Sequence, residues 1–252
     1  MCIHPLTGNC NNNLLNRDKK IYRYMPLMYL LEMLVKKQIR FNSVLSWKDP
    51  YENYLSKHNY HKNQEKVDVR KFAESFFGIC WTTAKESELM WNTYRSKYDK
   101  EIVLKIESTA GKIVEICLKD QSGNGVNKIF YGQEIKYLSQ RSMVTNLKDS
   151  YKFEDFYNVY LKYLFLKRNS YKHEQEYRFI AQIQVNEPFQ SMPDYVQIPF
   201  SNCFIDKIVI DPITSDSDVA YAKKVISMVE NTLNVVKSDL YSVPKIKTIE
   251  IV

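Results

Sequence analysis

The chain has 252 residues, 44% hydrophobic and 26% charged, with only 6 glycines and 8 prolines. Such a chain can bury a real core, which excludes a disordered, collagen-like or linker protein. The formal net charge is +7 and unevenly spread: residues 1–100 hold 17 Lys and Arg against 10 Asp and Glu, and the rest is balanced at 19 each. A basic first part suits a polyanionic partner such as RNA or DNA, and it equally suits a solvated surface. Five scattered cysteines (Cys2, Cys10, Cys80, Cys117, Cys203) form no CxxC pair, and the four histidines (His4, His58, His61, His173) form no HExxH. Reduced thiols and no metal site are expected. The longest apolar stretch, Met25 to Val35, is broken by Glu32 and is too short for a bilayer. No secretory signal is visible, so the expectation is a cytoplasmic protein with no membrane partner.

In chain order, residues 1–18 are polar and aperiodic and read as a flexible N-terminal segment. Ile21–Tyr24 reads as a strand and Pro26 as the first turn of a helix carrying Leu27, Leu30, Leu31 and Leu34. Ile39–Phe41 is a second strand, followed by a loop through Asp49 and Pro50. Residues 56–70 form a polar, basic excursion with Lys57, Lys62, Lys66 and Arg70. Phe76–Trp81 has the unbroken apolar character of a buried strand. Thr83–Glu86 has the form of a capping box for a helix with Leu89, Met90, Trp91 and Tyr94. Further strands are expected at Glu101–Ile106, Lys112–Cys117, Lys128–Leu138, Glu176–Val185, Tyr195–Pro199 and Phe204–Ile210. Helices are expected at Phe153–Arg168 and from Val219 to Leu233. No repeat or linker divides the chain, which gives one α+β domain over residues 19–252, helices interrupting a mostly antiparallel sheet.

Walker, GxGxxG, GxSxG and kinase signatures are absent. What remains are polar and aromatic clusters at predicted strand ends. They are Tyr22-Arg23-Tyr24, Trp47-Lys48-Asp49-Pro50-Tyr51-Glu52, Cys80-Trp81-Thr82-Thr83, Met90-Trp91 with Tyr94, and Glu174 through Arg178. Alternation sets Arg23 opposite both tyrosines, and an extended 174–178 would project Glu174, Glu176 and Arg178 from one face. Three charges in a row do not suit a buried sheet face, which makes that cluster the strongest functional signal. Met90 and Tyr94 share a helix face, for which core packing is the simpler reading.

Taken in this order, with Ile39–Ser43 leading into the Trp47 motif, these residues resemble DUF2971, a bacterial domain family of unknown function, over roughly residues 21–210. More remotely, Arg23, Trp81-Thr82-Thr83 and Glu174-Gln175-Glu176 resemble the aromatic-Arg, Ser-Thr-Ser and Glu-x-Glu strands of R-S-E type ADP-ribosyltransferases, including toxin-type members that modify nucleic acid. Thr82 stands where the family has Ser, and residues 53–75 are an insert without a family landmark. The resemblance implies a split-sheet ADP-ribosyltransferase-like fold with NAD as co-substrate. It implies Glu176 as the catalytic carboxylate and Glu174 as the residue that orients the acceptor. Arg23, Tyr22, Thr82, Trp91 and Tyr94 would contact NAD, and Lys57, Lys62, Lys66 and Arg70 a nucleic-acid acceptor. A protein acceptor stays open, and the implied role is a toxin or phage-defence effector with a possible antitoxin or chaperone partner.

Two other readings stay open on the residues. Asp49, Glu52, Glu174 and Glu176 could cage Mg²⁺ in a nuclease. Alternatively, the acids could pair with Arg178 in a non-enzymatic binding module for nucleic acid or another partner.

Overall fold

A computed structural model describes residues 6, 16–57, 60–62, 65–67, 69–98, 100–123, 128–150, 156–183 and 192–243. The first strand, β1 (Lys20–Pro26), ends on Pro26, and α1 (Leu27–Lys36) begins at the next residue. Leu27, Leu30, Met33 and Leu34 make the buried stripe of α1. Lys37, at φ 49°, turns the chain into β2 (Gln38–Ser43). The basic excursion is a hairpin of β3 (Tyr60–Lys62) and β4 (Glu65–Val67), followed by the short α2 (Val69–Ala73). Next come β5 (Phe76–Thr82), α3 (Glu88–Lys97) and β6 (Val103–Thr109). The second half runs through α4 (Ala110–Gly123), β7 (Lys128–Glu134), β8 (Lys136–Leu138), α5 (Gln140–Ser150), α6 (Phe156–Tyr163) and β9 (Leu166–Arg168). It closes with β10 (Glu176–Ile183), β11 (Tyr195–Pro199), β12 (Lys207–Ile210), α7 (Asp216–Val229) and β13 (Val235–Lys237).

The fold is mixed α and β: β5 pairs antiparallel with β1, β2 and β10, as do β10 with β7, β2 with β11 and β6 with β12, whereas β12 with β13 and β8 with β9 are parallel. The expected antiparallel sheet with interrupting helices is therefore present. Several local expectations are corrected. Lys112–Cys117 is helix, because Ala110, Ile113, Val114 and Cys117 are buried at helical spacing. The α3 cap is Ser87, whose Oγ accepts from Met90 N, whereas Thr83 donates to the Gln175 carbonyl and extends the sheet edge. The helix expected to run to Arg168 stops at Tyr163, and Leu166–Arg168 becomes a strand beside β8. The strand expected through Lys128–Leu138 is broken at Ile135, while α5 and β13 had no counterpart in the reading.

The described residues gather into two compact units. The first draws on residues up to Arg23, Lys36–Ala84 and Ser108–Phe204, and the second on Tyr24–Val35, Lys85–Glu107 and residues from Ile205 on. In the first unit, β10 takes one edge of β5 along its whole length, Glu176↔Thr82 through Gln182↔Phe76. The other edge is shared: β2 pairs at Gly78 and Phe77, and β1 at Thr82. This fork is the physical form of a split sheet. A core of Phe76, Tyr131, Tyr160, Leu164, Phe165 and Ile180 packs α6 and its neighbours here. In the second unit, β6, β12 and β13 lie side by side, and Tyr24, Met90, Trp91, Val103 and Val209 form a core. Among the described residues, no helix is long and apolar enough to cross a membrane.

Candidate functional site

The site begins where the end of β5 and the start of β10 meet beside Tyr22 of β1. Tyr22 is the register partner of Thr82, and Thr82 is the partner of Glu176. Directly paired residues leave the same face of a sheet, so these three form a row across adjacent strands. Before Glu176 the chain is not extended: Asn169–Glu174 is a 3₁₀ turn and Gln175 sits at φ 41°. Two threonines hold this turn. Thr82 Oγ1 donates to the Glu174 carbonyl at 2.5 Å and accepts from Ala84 N at 2.9 Å, and Thr83 Oγ1 donates to the Gln175 carbonyl at 3.0 Å. The Glu176 backbone is held on both sides, its N–H by the Tyr137 hydroxyl at 2.8 Å and its carbonyl by Ile135 N at 2.9 Å.

Glu176 and Arg178 share a face of β10, both buried. Arg178 donates from Nε and Nη2 to the two Glu176 oxygens at 2.7 and 2.9 Å, in the bidentate form that a planar guanidinium favours. Its Nη1 reaches the Leu164 carbonyl, and Nη2 also reaches Glu52 Oε1, each at 2.5 Å. The Trp47 ring covers the guanidinium at 3.9 Å, a cation–π contact. Gly78 makes that possible, because a Cβ there would lie 2.7 Å from Trp47 Cζ2. On the other side of Glu176, Lys167 Nζ reaches Glu174 Oε2 at 2.6 Å and Glu176 Oε2 at 3.0 Å. Arg168, next along β9, takes Asp49 at 2.9 Å and lies over the Tyr51 ring at 4.4 Å. The Trp47–Glu52 motif thus folds over the strand end as one piece, with Asn53 Nδ2 donating to the Trp47 carbonyl.

Electrostatics separates the two acids that share Arg178. Burial alone would raise Glu176, but Arg178 and then Lys167 outweigh it and bring its carboxyl down to about 2. For Glu52 burial wins over Arg178 and Lys167, and its carboxyl is raised. Burial would lower Lys167, but Glu176, Glu52 and Glu174 raise it, so it remains an ammonium. Burial pushes the Tyr137 hydroxyl up to about 12, so it stays protonated.

No protein-family model matches this chain, and no curated protein matches it. Similar solved structures include three of Thermus sp. 2.9 DarT. The one in complex with ADP-ribosylated ssDNA is 8% identical, over 90% of this chain and 97% of that one, with a TM-score of 0.41. The complex with carba-NAD+ is 10% identical over 89% and 97%, TM-score 0.39, and the complex with NAD+ is 9% identical over 88% and 96%, TM-score 0.40.

Of the residues singled out in the sequence, Tyr22, Thr82, Glu174 and Glu176 come together. Arg23 is half-buried one residue beyond the row, where alternation sets it on the opposite face from Tyr22. Thr82 Oγ1 is engaged by the Glu174 carbonyl and by Ala84 N, and it holds that turn in place. Trp91 belongs to the core of the second unit, and half-buried Tyr94 packs against it; full burial corrects the assignment of the Trp91 ring as a stacking face. Trp91 is fully buried, edge-on to Tyr24, and donates Nε1–H to Glu86 at 2.9 Å. Tyr94 stacks on Tyr24 at 4.9 Å, with Lys97 Nζ 5.7 Å from its ring centre. Lys57 and Arg70 are exposed on either side of the β3–β4 hairpin, whose backbone carries Lys62 and Lys66.

The acids proposed for an Mg²⁺ cage already hold cations: Asp49 has Arg168, Glu52 has Arg178, Glu174 has Lys167, and Glu176 has both Arg178 and Lys167. Among the described residues no group of three His, Cys, Asp or Glu is placed to hold a metal ion. Sequence reading passed over Lys167, Arg168 and Tyr137, and it left the Trp47 indole without a role. A usable signal existed: two acids at 174 and 176 need cations beyond Arg178, and Lys167-Arg168 is the basic pair just upstream.

Proposed function

We propose that this chain transfers ADP-ribose from NAD, with Glu176 as the carboxylate that faces the ribose. One observation carries the reading: Tyr22, Thr82 and Glu176 stand side by side on three adjacent strands. The row passes through the three motifs of the R-S-E resemblance, with Tyr22, the neighbour of Arg23, standing in the first. NAD as substrate supplies a ribosyl carbon whose bond to nicotinamide breaks, the electron pair leaving with nicotinamide while an acceptor atom bonds to the carbon and gives up its proton. The residues fit such a substrate in kind. Positive charge builds on the ribose during this exchange, and a carboxylate kept ionised in a buried site stabilises it without reorganising. Glu176 has that property, and half-buried Tyr22 offers an aromatic face for nicotinamide. Glu174, whose side chain is 29% exposed, is assigned the acceptor and its proton. The Arg23 role at the pyrophosphate is carried by chain order and not by the register. Arg23→Lys tests it, since Lys lacks the fork, and should weaken NAD binding.

A structural reading also has a specific observation behind it. Both oxygens of Glu176 are taken by Arg178 and Lys167, and the residue is 4% exposed, as a plain ion-pair network requires. The deciding experiment incubates the protein with NAD labelled in its adenylate half, plus single-stranded DNA, RNA or cell protein. Free nicotinamide and transferred label are then measured. The transferase reading expects both from the wild type and neither from Glu176→Gln combined with Lys167→Gln, a pair that removes one charge of each sign. Wild-type protein that releases no nicotinamide with any acceptor sinks the transferase reading.

Nucleic acid is the acceptor we assign, on the basic excursion flanked by exposed Lys57 and Arg70. Binding should weaken steeply with salt, and replacing Lys57, Lys62 and Lys66 together by Ala should flatten that dependence. A toxin or defence role in a bacterial cytoplasm, with an antitoxin as partner, follows from the family resemblance and is part of the same proposal.

A further inference from the structure

We infer that Lys167 is a positioning residue for this transfer, tying the two acids of Glu174-Gln175-Glu176 into one unit. The inference rests on the transferase reading. Gln175 at φ 41° breaks the strand between the two acids, so β-sheet alternation does not align them. Lys167 does so instead: its ammonium lies 2.6 Å from Glu174 Oε2 and 3.0 Å from Glu176 Oε2. Its own position is set by the parallel pairing of β9 with β8, Tyr137↔Lys167, and by the Tyr171 ring 4.8 Å away. Tyr137 in turn accepts the Glu176 N–H. One short strand pair therefore places both the backbone and the counter-charge of Glu176.

The groups facing Glu176 are Arg178 on its own strand, Cys80 on β5, Lys167 on β9, Tyr137 on β8, Glu174 in the turn and Glu52 across Arg178. Lys167 is the member of this set that touches both acids. A lysine suits the position, since a compact ammonium with three rotatable donors can serve two carboxylates at an angle that a planar fork does not match.

Two variants test this, Lys167→Met and Lys167→Arg, with nicotinamide release followed from about pH 5 to about pH 8. Lys167→Met leaves Glu176 with one cation in a buried site. Its acid limb should move up into that range, so that the rate at the low end falls about tenfold further than in wild type. Lys167→Arg keeps the charge, so the limb should stay where it is while kcat drops and KM for NAD is unchanged. A Lys167→Met profile that superimposes on the wild type overturns the inference and leaves the transferase reading standing. Should Lys167→Met not fold, Lys167→Arg decides alone, and a wild-type kcat there overturns the inference. A wild type without NAD turnover removes the functional reading, and this inference falls with it.

Discussion

The first unit gathers Glu52, Glu174 and Glu176 around Arg178 and Lys167, three acids to two cations, with Trp47 stacked on the guanidinium. The second unit holds half-buried Glu86 against Lys105, the Trp91 N–H and the Ser238 hydroxyl, and Lys105 also serves Glu107. Both clusters use a tryptophan, but differently: Trp47 offers its ring face to a cation, and Trp91 its N–H to an anion. Glu86 draws donors from three separate elements, two of them neutral, so no single contact decides its ionisation. Burial works against it, and the Ser238, Trp91 and Lys105 bonds together bring its carboxyl below the usual range. In the first cluster one guanidinium is shared by two acids: it favours the charged form of both, yet burial wins at Glu52 and loses at Glu176. A structural network gains from redundancy. A site that must keep one carboxylate ionised and another near solvent needs the uneven arrangement instead.

The largest test of this contrast is Arg178→Leu. It leaves Glu52 and Glu176 buried without their shared partner and should cost about 3–5 kcal/mol in urea unfolding. Lys105→Met should cost about 1–2 kcal/mol, because Glu86 keeps two donors. Equal costs would show that the second cluster is no more redundant than the first.

The pH dependence of stability comes next. Glu176 sits at about 2 in the folded protein against an ordinary 4.5, so its contribution is complete above the ordinary value and is lost as pH falls toward 2. The loss is on the order of 3 kcal/mol. Glu52, whose carboxyl is raised, works with opposite sign: its contribution is present below the ordinary value and is lost as pH rises through its folded value. Unfolding measured across this range should therefore show Glu176→Gln flattening the acid loss and Glu52→Gln leaving it in place.

Gly78→Ala tests the Trp47 cover directly. The added Cβ would meet the indole at 2.7 Å and should cost about 1–3 kcal/mol, relieved when Trp47→Leu is added. An alanine tolerated without loss would mean that Trp47 is not held against β5. The smallest effect is expected in the second unit, where Trp91→Phe keeps the ring and removes one donor to Glu86, for about 1 kcal/mol. Thermal unfolding of the two single variants side by side gives this comparison.

Much of the site was legible as motifs but not as an assembly. The Trp47–Glu52 motif was visible, while its partners Arg168, Arg178 and Tyr163 lie more than a hundred residues away and no local pattern joins them. Trp91 and Tyr94 attracted a ligand role because aromatic residues stack on bases and nicotinamide alike. Their helical spacing also fits a core, and the Tyr24 ring against both fills that space. Lys112–Cys117 shows the same limit at the level of a single element, since Lys-Ile-Val-Glu-Ile-Cys is a short run rich in β-branched residues that reads as a strand. The burial of Ala110, Ile113 and Cys117 on one side decides for a helix.

Sequence by itself determined the elements whose periodicity has one solution: the leucine stripe of α1, the apolar run of β5 and the amphipathic α7. It also determined the order in which Tyr22, Thr82 and Glu176 occur. Tertiary structure decided that these three meet, because strand register depends on which edges pair and not on any local propensity. It decided too that Lys167 and Arg168 leave the helix and become counter-charges. Two acids and an arginine buried at a strand end need more positive charge than their own strand carries, and only the folded chain can bring it there.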